Sequence, residues 1–196
     1  EIGGPSVKPY QPAGIWEEIT TEKSANNFRG EYSYVPDTAA AKIYRRSLYT
    51  YNKRTIPPPT MLSFDIVPRD VCEVRRARTS TPLQALAMLN DEQILEAARV
   101  LAGQVLQDGR GKKIEEEIAS AFHQILTRKP GKAEIQKLVV LYRDELMRYR
   151  QNPALAKKLL RTGRYPQNTS LDAAEQSAMM LVVSAIFNLD EAMSKT

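Results

Sequence analysis

Cysteine and histidine are almost absent from this sequence, and that scarcity removes several chemistries at once. A lone Cys72 cannot close an internal disulfide, and with the lone His123 it cannot supply the three or four Cys/His ligands of a zinc site. No C-x-x-C-H run is present for covalent haem attachment, and no D-x-D-x-D-G loop for calcium. A carboxylate-only calcium or magnesium site stays open. No apolar run reaches the roughly 18 residues of a membrane span, and the most apolar stretch, Ala178 to Leu189, reads as a buried helix. There is no initiating Met, basic start or apolar leader. The opening at Glu1 therefore reads as that of a processed chain or an excised fragment. Strand pairs and internal repeats are likewise missing.

What is present is an ordinary globular composition with one local anomaly. Hydrophobic residues make up 42% and charged residues 26% of 196 residues, enough for one good core or two small ones. The net charge of +5 permits a polyanionic partner without demanding one. Between Lys42 and Arg78, nine cations face only Asp65, Asp70 and Glu73, a local +6.

The periodicity predicts an all-α protein: a helical bundle with a long irregular, proline-rich N-terminal arm and an ordered loop, read as a single domain over 1–196. The arm, 1–41, is punctuated by Pro5, Pro9, Pro12 and Pro36. Within it Ile15, Trp16 and Ile19 suit a short helix, with Trp16 anchoring the arm. The 42–90 segment holds the arginines, a helix ending near Thr55, a polyproline-like stop at Pro57-Pro58-Pro59, and a loop over 60–80. Thr81-Pro82-Leu83-Gln84 then spells a capping box with proline at N1. Leu83, Leu86, Ala87 and Asn90 follow on one face.

Over 91–196 the pattern is regular. Asn90-Asp91 is placed to cap a helix carrying Ile94, Leu95, Ala98, Leu101, Ala102, Val105 and Leu106, stopped by Gly109 and Gly111. A helix over 113–127 and another over 132–151 flank a tight Arg128-Lys129-Pro130-Gly131 connection. An ordinary α-hairpin explains that pair better than a DNA-reading helix-turn-helix, because its charges are mixed. Asn152-Pro153 restarts a short helix, and Ser170 is placed to cap the last one, 171–188.

The candidate site lies in the arginine-rich segment. Arg45, Arg46, Arg54, Arg69, Arg75, Arg76 and Arg78 each present a planar fork suited to carboxylate, phosphate or sulfate. Against this stands a structural reading, in which the same arginines tie a long loop to helix ends and to acids. Tyr44, Tyr49 and Tyr51 could stack on sugars, or could be core edges. Thr79, Thr81 and Asn90 could contact a ligand, though capping alone explains Thr81. Cys72 beside arginines and His123 on an apolar helix read as structural residues.

The run Tyr44-Arg45-Arg46-Ser47-Leu48-Tyr49-Thr50, with Lys53-Arg54-Thr55, the three prolines, Phe64-Asp65, Val74-Arg75-Arg76 and Arg78-Thr79, forms a longer signature with Thr81-Pro82-Leu83-Gln84-Ala85-Leu86 and Leu89-Asn90-Asp91. Together with Gly3-Gly4-Pro5-Ser6-Val7-Lys8-Pro9-Tyr10-Gln11-Pro12, Gly14-Ile15-Trp16 and the ending Asn188-Leu189-Asp190-Glu191, it resembles the planctomycete cytochrome-associated domain family, a domain of unknown function. The resemblance implies a C-terminal piece of a larger exported protein, periplasmic or extracellular, whose N-terminal domains are partners. It implies haem in that parent and no cofactor in this chain. No catalytic residues come with it.

Three function classes stay open on this reading, the least demanding being a purely structural helical cap for a preceding domain. A second is a non-catalytic binding module for an acidic or sulfated glycan. The third is one wall of an active site completed by N-terminal domains, with Asp65, Asp70 and Arg75 its first residues. Nucleic acid is disfavoured, because no candidate recognition helix is basic.

Overall fold

The computed structural model describes Tyr44, Tyr49, Thr50, residues 57–67, Val74 and residues 79–193. The chain divides into two compact units, Glu1–Thr79 and Ser80–Thr196. Regular structure among the described residues is helical, as expected: α1 Pro59–Ser63, α2 Pro82–Asn90, α3 Glu92–Asp108, α4 Ile114–Leu126, α5 Lys132–Gln151, α6 Pro153–Leu159, α7 Ala173–Phe187 and α8 Asp190–Met193. The expected arm over 1–41 and most of the helix ending near Thr55 lie outside the described residues.

In the first unit the prolines start a helix where a stop was expected. Pro58 is extended (φ −57°, ψ 133°), but Pro59 stands at the first helical turn of α1. Proline lacks an N–H that the first turn would leave unpaired anyway, and its fixed φ suits helix entry. The helix ends at Phe64, and the chain turns at Asp65 with φ 55°. The region read as loop, 60–80, therefore begins with four helical residues, Thr60 to Ser63.

The second unit is a helical bundle, and its boundaries follow local signals closely. Thr81 Oγ1 accepts from the Gln84 N–H (3.3 Å), while Gln84 Oε1 accepts from the Thr81 N–H (3.0 Å). Asp91 caps α3 by accepting from the N–H groups of Gln93 and Ile94. One cap differs from expectation. Asp172 caps α7 by accepting from the Ala174 N–H, whereas Ser170 donates its N–H and hydroxyl to Asn168 Oδ1. Asp172 sits immediately before the apolar run, where a side-chain acceptor reaches the first free N–H groups.

Helix α7 is the centre of this bundle. Ten of its fifteen residues are buried, among them Ala178, Met179, Met180, Val182, Val183 and Ile186. A helix apolar on every side has no solvent face to satisfy and must be surrounded. It packs chiefly against α3 and α5 and also touches α2, α4, α6 and α8. Ala98, Ala102 and Val105 of α3 meet it, with Ile118, Ala121 and Phe122 of α4 and Val139 and Tyr142 of α5 in the same core. Burial pushes the Tyr142 hydroxyl pKa up to about 12, with help from the charges of Glu175 and Glu117.

Candidate functional site

Asp65 and Thr79 flank the part of the arginine-rich segment that carries Arg69, Arg75, Arg76 and Arg78. After α1, Asp65 adopts a left-handed backbone conformation, which its short polar side chain tolerates better than most. Its Oδ2 accepts from the Thr79 N–H (2.9 Å) and from the Thr79 hydroxyl (2.8 Å). Two bonds to one carboxylate oxygen thus close a loop within the first unit. Between these anchors lie Arg69, Arg75, Arg76 and Arg78, against Asp70 and Glu73. The side chains of Arg45, Arg46, Arg54, Arg69, Arg75, Arg76 and Arg78, and those of Cys72 and Asp70, lie outside the described residues. Tyr44 is exposed and Tyr49 half-buried.

Of the remaining sequence candidates in the second unit, Thr81 and Asn90 have structural work. Thr81 and Gln84 form the capping box, and Asn90 donates to the Leu86 carbonyl. His123 is exposed on α4, and its carbonyl accepts from the Thr127 N–H at the helix end. Among the described residues no group of three His, Cys, Asp or Glu is arranged to hold a metal. None of the described helices is long and apolar enough to cross a membrane.

Two arginines that composition does not single out hold the bundle's connections. Arg99, on α3, is 2% exposed. Its Nε donates to the Thr162 carbonyl (3.2 Å), its Nη1 to Pro166 (3.2 Å) and its Nη2 to Tyr165 (2.5 Å). One turn earlier, buried Glu96 accepts from the Tyr165 N–H (2.5 Å). Gly163 makes this approach feasible. Its φ is +83°, and a Cβ there would sit 2.5–2.6 Å from Glu96 side-chain atoms. The loop after α6 is therefore pinned to α3 through its backbone, leaving Arg164 and Tyr165 exposed.

Arg128, just past α4, is the second. It donates to both carboxylate oxygens of Glu134 on α5 (3.0 and 2.7 Å) and to both of Glu191 on α8, and its guanidinium lies 4.7 Å from the centre of the Phe122 ring. Glu134 also accepts from the Gly131 N–H (2.6 Å). The Arg128 fork, with that N–H, holds the Glu134 carboxyl well below the usual range, at about 2, and lowers Glu191 as well. A carboxylate depressed in the folded state contributes stability above its unfolded value of 4.5, which is lost as pH falls through the folded value. The expected result is a fall in melting temperature between pH 5 and pH 2 that is shallower in Glu134→Gln than in the parent. Equal acid limbs by thermal denaturation would remove this tie from the account.

A shallow open depression of about 380 Å³ on α5 is lined by Arg143, Leu146, Met147, Arg150 and Gln151. Its arginines are engaged, Arg143 with Glu115 and Arg150 with Glu175.

Residues 1–142 match the family described as Protein of unknown function (DUF1553). The chain belongs to that family. No curated protein and no solved structure matches it. The DUF1553 match contains the whole arginine-rich segment and both loop anchors, Asp65 and Thr79. It runs through α2, α3 and α4 and into α5, while the central helix α7 and the pinned 162–166 loop lie beyond it.

Proposed function

We propose that this DUF1553 chain is a non-catalytic binding module for an anionic ligand, a sulfated or acidic glycan, within an exported, cytochrome-linked multidomain bacterial protein. The observation that supports it most is the closure of the 65–79 loop by the two Asp65–Thr79 bonds. A tie between Asp65 and Thr79 restricts the two ends of the segment before any ligand arrives, which lowers the cost of ordering whatever binds between them. The local +6 supplies the charge, and arginine forks match sulfate and carboxylate geometry. Export and cytochrome linkage follow from the family resemblance alone.

The closure also weakens the enzyme-wall reading. Asp65 is engaged at the base of the loop, which leaves Asp70 and Arg75 to carry that reading without it.

Dextran sulfate is a suitable probe for the full chain. The wild type should bind it in a salt-sensitive manner, and the Arg75→Ala/Arg76→Ala variant should bind at least about tenfold more weakly, since a hydrogen bond to a charged group contributes on the order of 1.5–3 kcal/mol. Equal binding by the variant, or none by the wild type in isothermal titration, removes the proposal.

A further inference from the structure

We infer that α6 and the loop following it form a second anion-binding surface, built for a short stretch of acidic polysaccharide. From Leu146 to Leu171 the chain carries Arg148, Arg150, Lys157, Lys158, Arg161 and Arg164 and not one acid. The rest of residues 80–196 holds ten cations against fourteen acids; Arg148 and Arg150 pair with two of those acids, Glu145 and Glu175, which leaves the excess on α6 and the loop after it.

The fold concentrates part of that charge. Ala156, Leu159 and Leu160 turn inward, and Ser177 donates its hydroxyl to the Ala156 carbonyl. Lys157, Lys158 and Arg161 are left on the opposite, exposed side. The Arg161 N–H bonds the Lys158 carbonyl and the Thr162 N–H the Leu159 carbonyl, so the helical path continues to Thr162. Lys157 and Lys158 therefore stand four and three residues before Arg161 at neighbour spacing, about 5–6 Å between Cβ atoms. Among the described residues none of these three forms an ion pair. Arg164 and Tyr165 follow on a backbone fixed by Arg99 and Glu96, and the Tyr165 side chain is exposed.

Stability accounts for only part of this arrangement. Cations at the C-terminal end of α6 complement the helix dipole, which covers Lys157, Lys158 and, where the helical path ends, Arg161. Set against that, like charges at these spacings repel. A rigid cationic ridge ending in an exposed aromatic ring fits a sugar chain, whose anionic groups meet the cations while a ring face stacks on tyrosine. A long nucleic acid would extend its phosphates over the acidic remainder of the unit, which disfavours it.

This surface shares its ligand class with the proposed function but none of its residues, so the two can fail separately. The test uses the full chain, dextran sulfate and polygalacturonate as sulfated and carboxylated probes, a DNA duplex as competitor, and the variants Lys157→Gln/Lys158→Gln/Arg161→Gln and Arg75→Ala/Arg76→Ala. The ridge variant should lose at least about tenfold in affinity for one or both polysaccharides, while its melting temperature changes little, since relieved repulsion offsets the lost helix-dipole contribution. Loss in the ridge variant with none in Arg75→Ala/Arg76→Ala keeps this surface and removes the other; the reverse pattern removes this one. Unchanged binding by the ridge variant, or tighter binding to the duplex than to either polysaccharide, overturns the inference.

Discussion

Arg99→Met is expected to destabilise the 80–196 unit by about 3–5 kcal/mol, because three backbone carbonyls lose their donor at once and a buried acceptor left unpaired costs roughly 1–3 kcal/mol. The guanidinium is 2% exposed and bonds Thr162, Tyr165 and Pro166 from a single planar fork. Arg99→Lys should recover only part of the loss, since a point-like ammonium cannot span the same three acceptors. Urea denaturation followed by far-UV circular dichroism measures both variants. A loss below about 1 kcal/mol for Arg99→Met would mean that water replaces the guanidinium freely and that the loop is not held through it. The outcome bears on function as well, because the same bonds fix the backbone on which Arg164 and Tyr165 stand.

Phe122→Ala should cost about 3–5 kcal/mol, the range for a fully buried aromatic replaced by a methyl group in a core with little room to collapse. Phe122 is 0% exposed in the cluster it shares with Ala98, Ile118 and Ala178. Its ring also carries the Arg128 guanidinium, so the truncation takes away a platform of the fork that reaches Glu134 and Glu191. Phe122→Leu keeps most of the volume and should lose much less. Equal midpoints for Phe122→Ala and the parent in the same denaturation experiment would contradict the packing described for α4.

Local sequence signals located the helices well where the chemistry is local. The Thr81–Gln84 box, Asp91 before α3, the glycines after it and Asn152-Pro153 each act within four residues of their own position, so each is visible without a fold. Apolar spacing named the inward residues of α3 and α4 for the same reason. Misreadings came where two local meanings compete. Three consecutive prolines serve equally as a stop or as a helix entrance, and Pro59 takes the second role. Ser170 and Asp172 are both good caps, and the choice fell to Asp172 because Ser170 is engaged with Asn168.

The arginines divide along the same line. Local pattern marks Arg75 and its neighbours as a site or a structural tie and Arg128 as part of a tight connection, and it carries no signal for Arg99 or for the acids that Arg128 holds. The partners lie 63 to 67 residues away in the chain for Arg99, and 63 for Arg128 with Glu191. No spacing rule reaches that far. The acid-free run from Leu146 to Leu171, by contrast, was legible from charge alone and was overshadowed by the denser run upstream.

The sequence by itself therefore determined the helical character of the described residues, most of the helix boundaries among them, and the arginine-rich run between Lys42 and Arg78. Only tertiary structure decided which cations are spent inside the fold and which stand free on it. That decision depends on distant carbonyls and carboxylates meeting a guanidinium: burial without such partners would be prohibitive, and their positions exist only once the helices have packed.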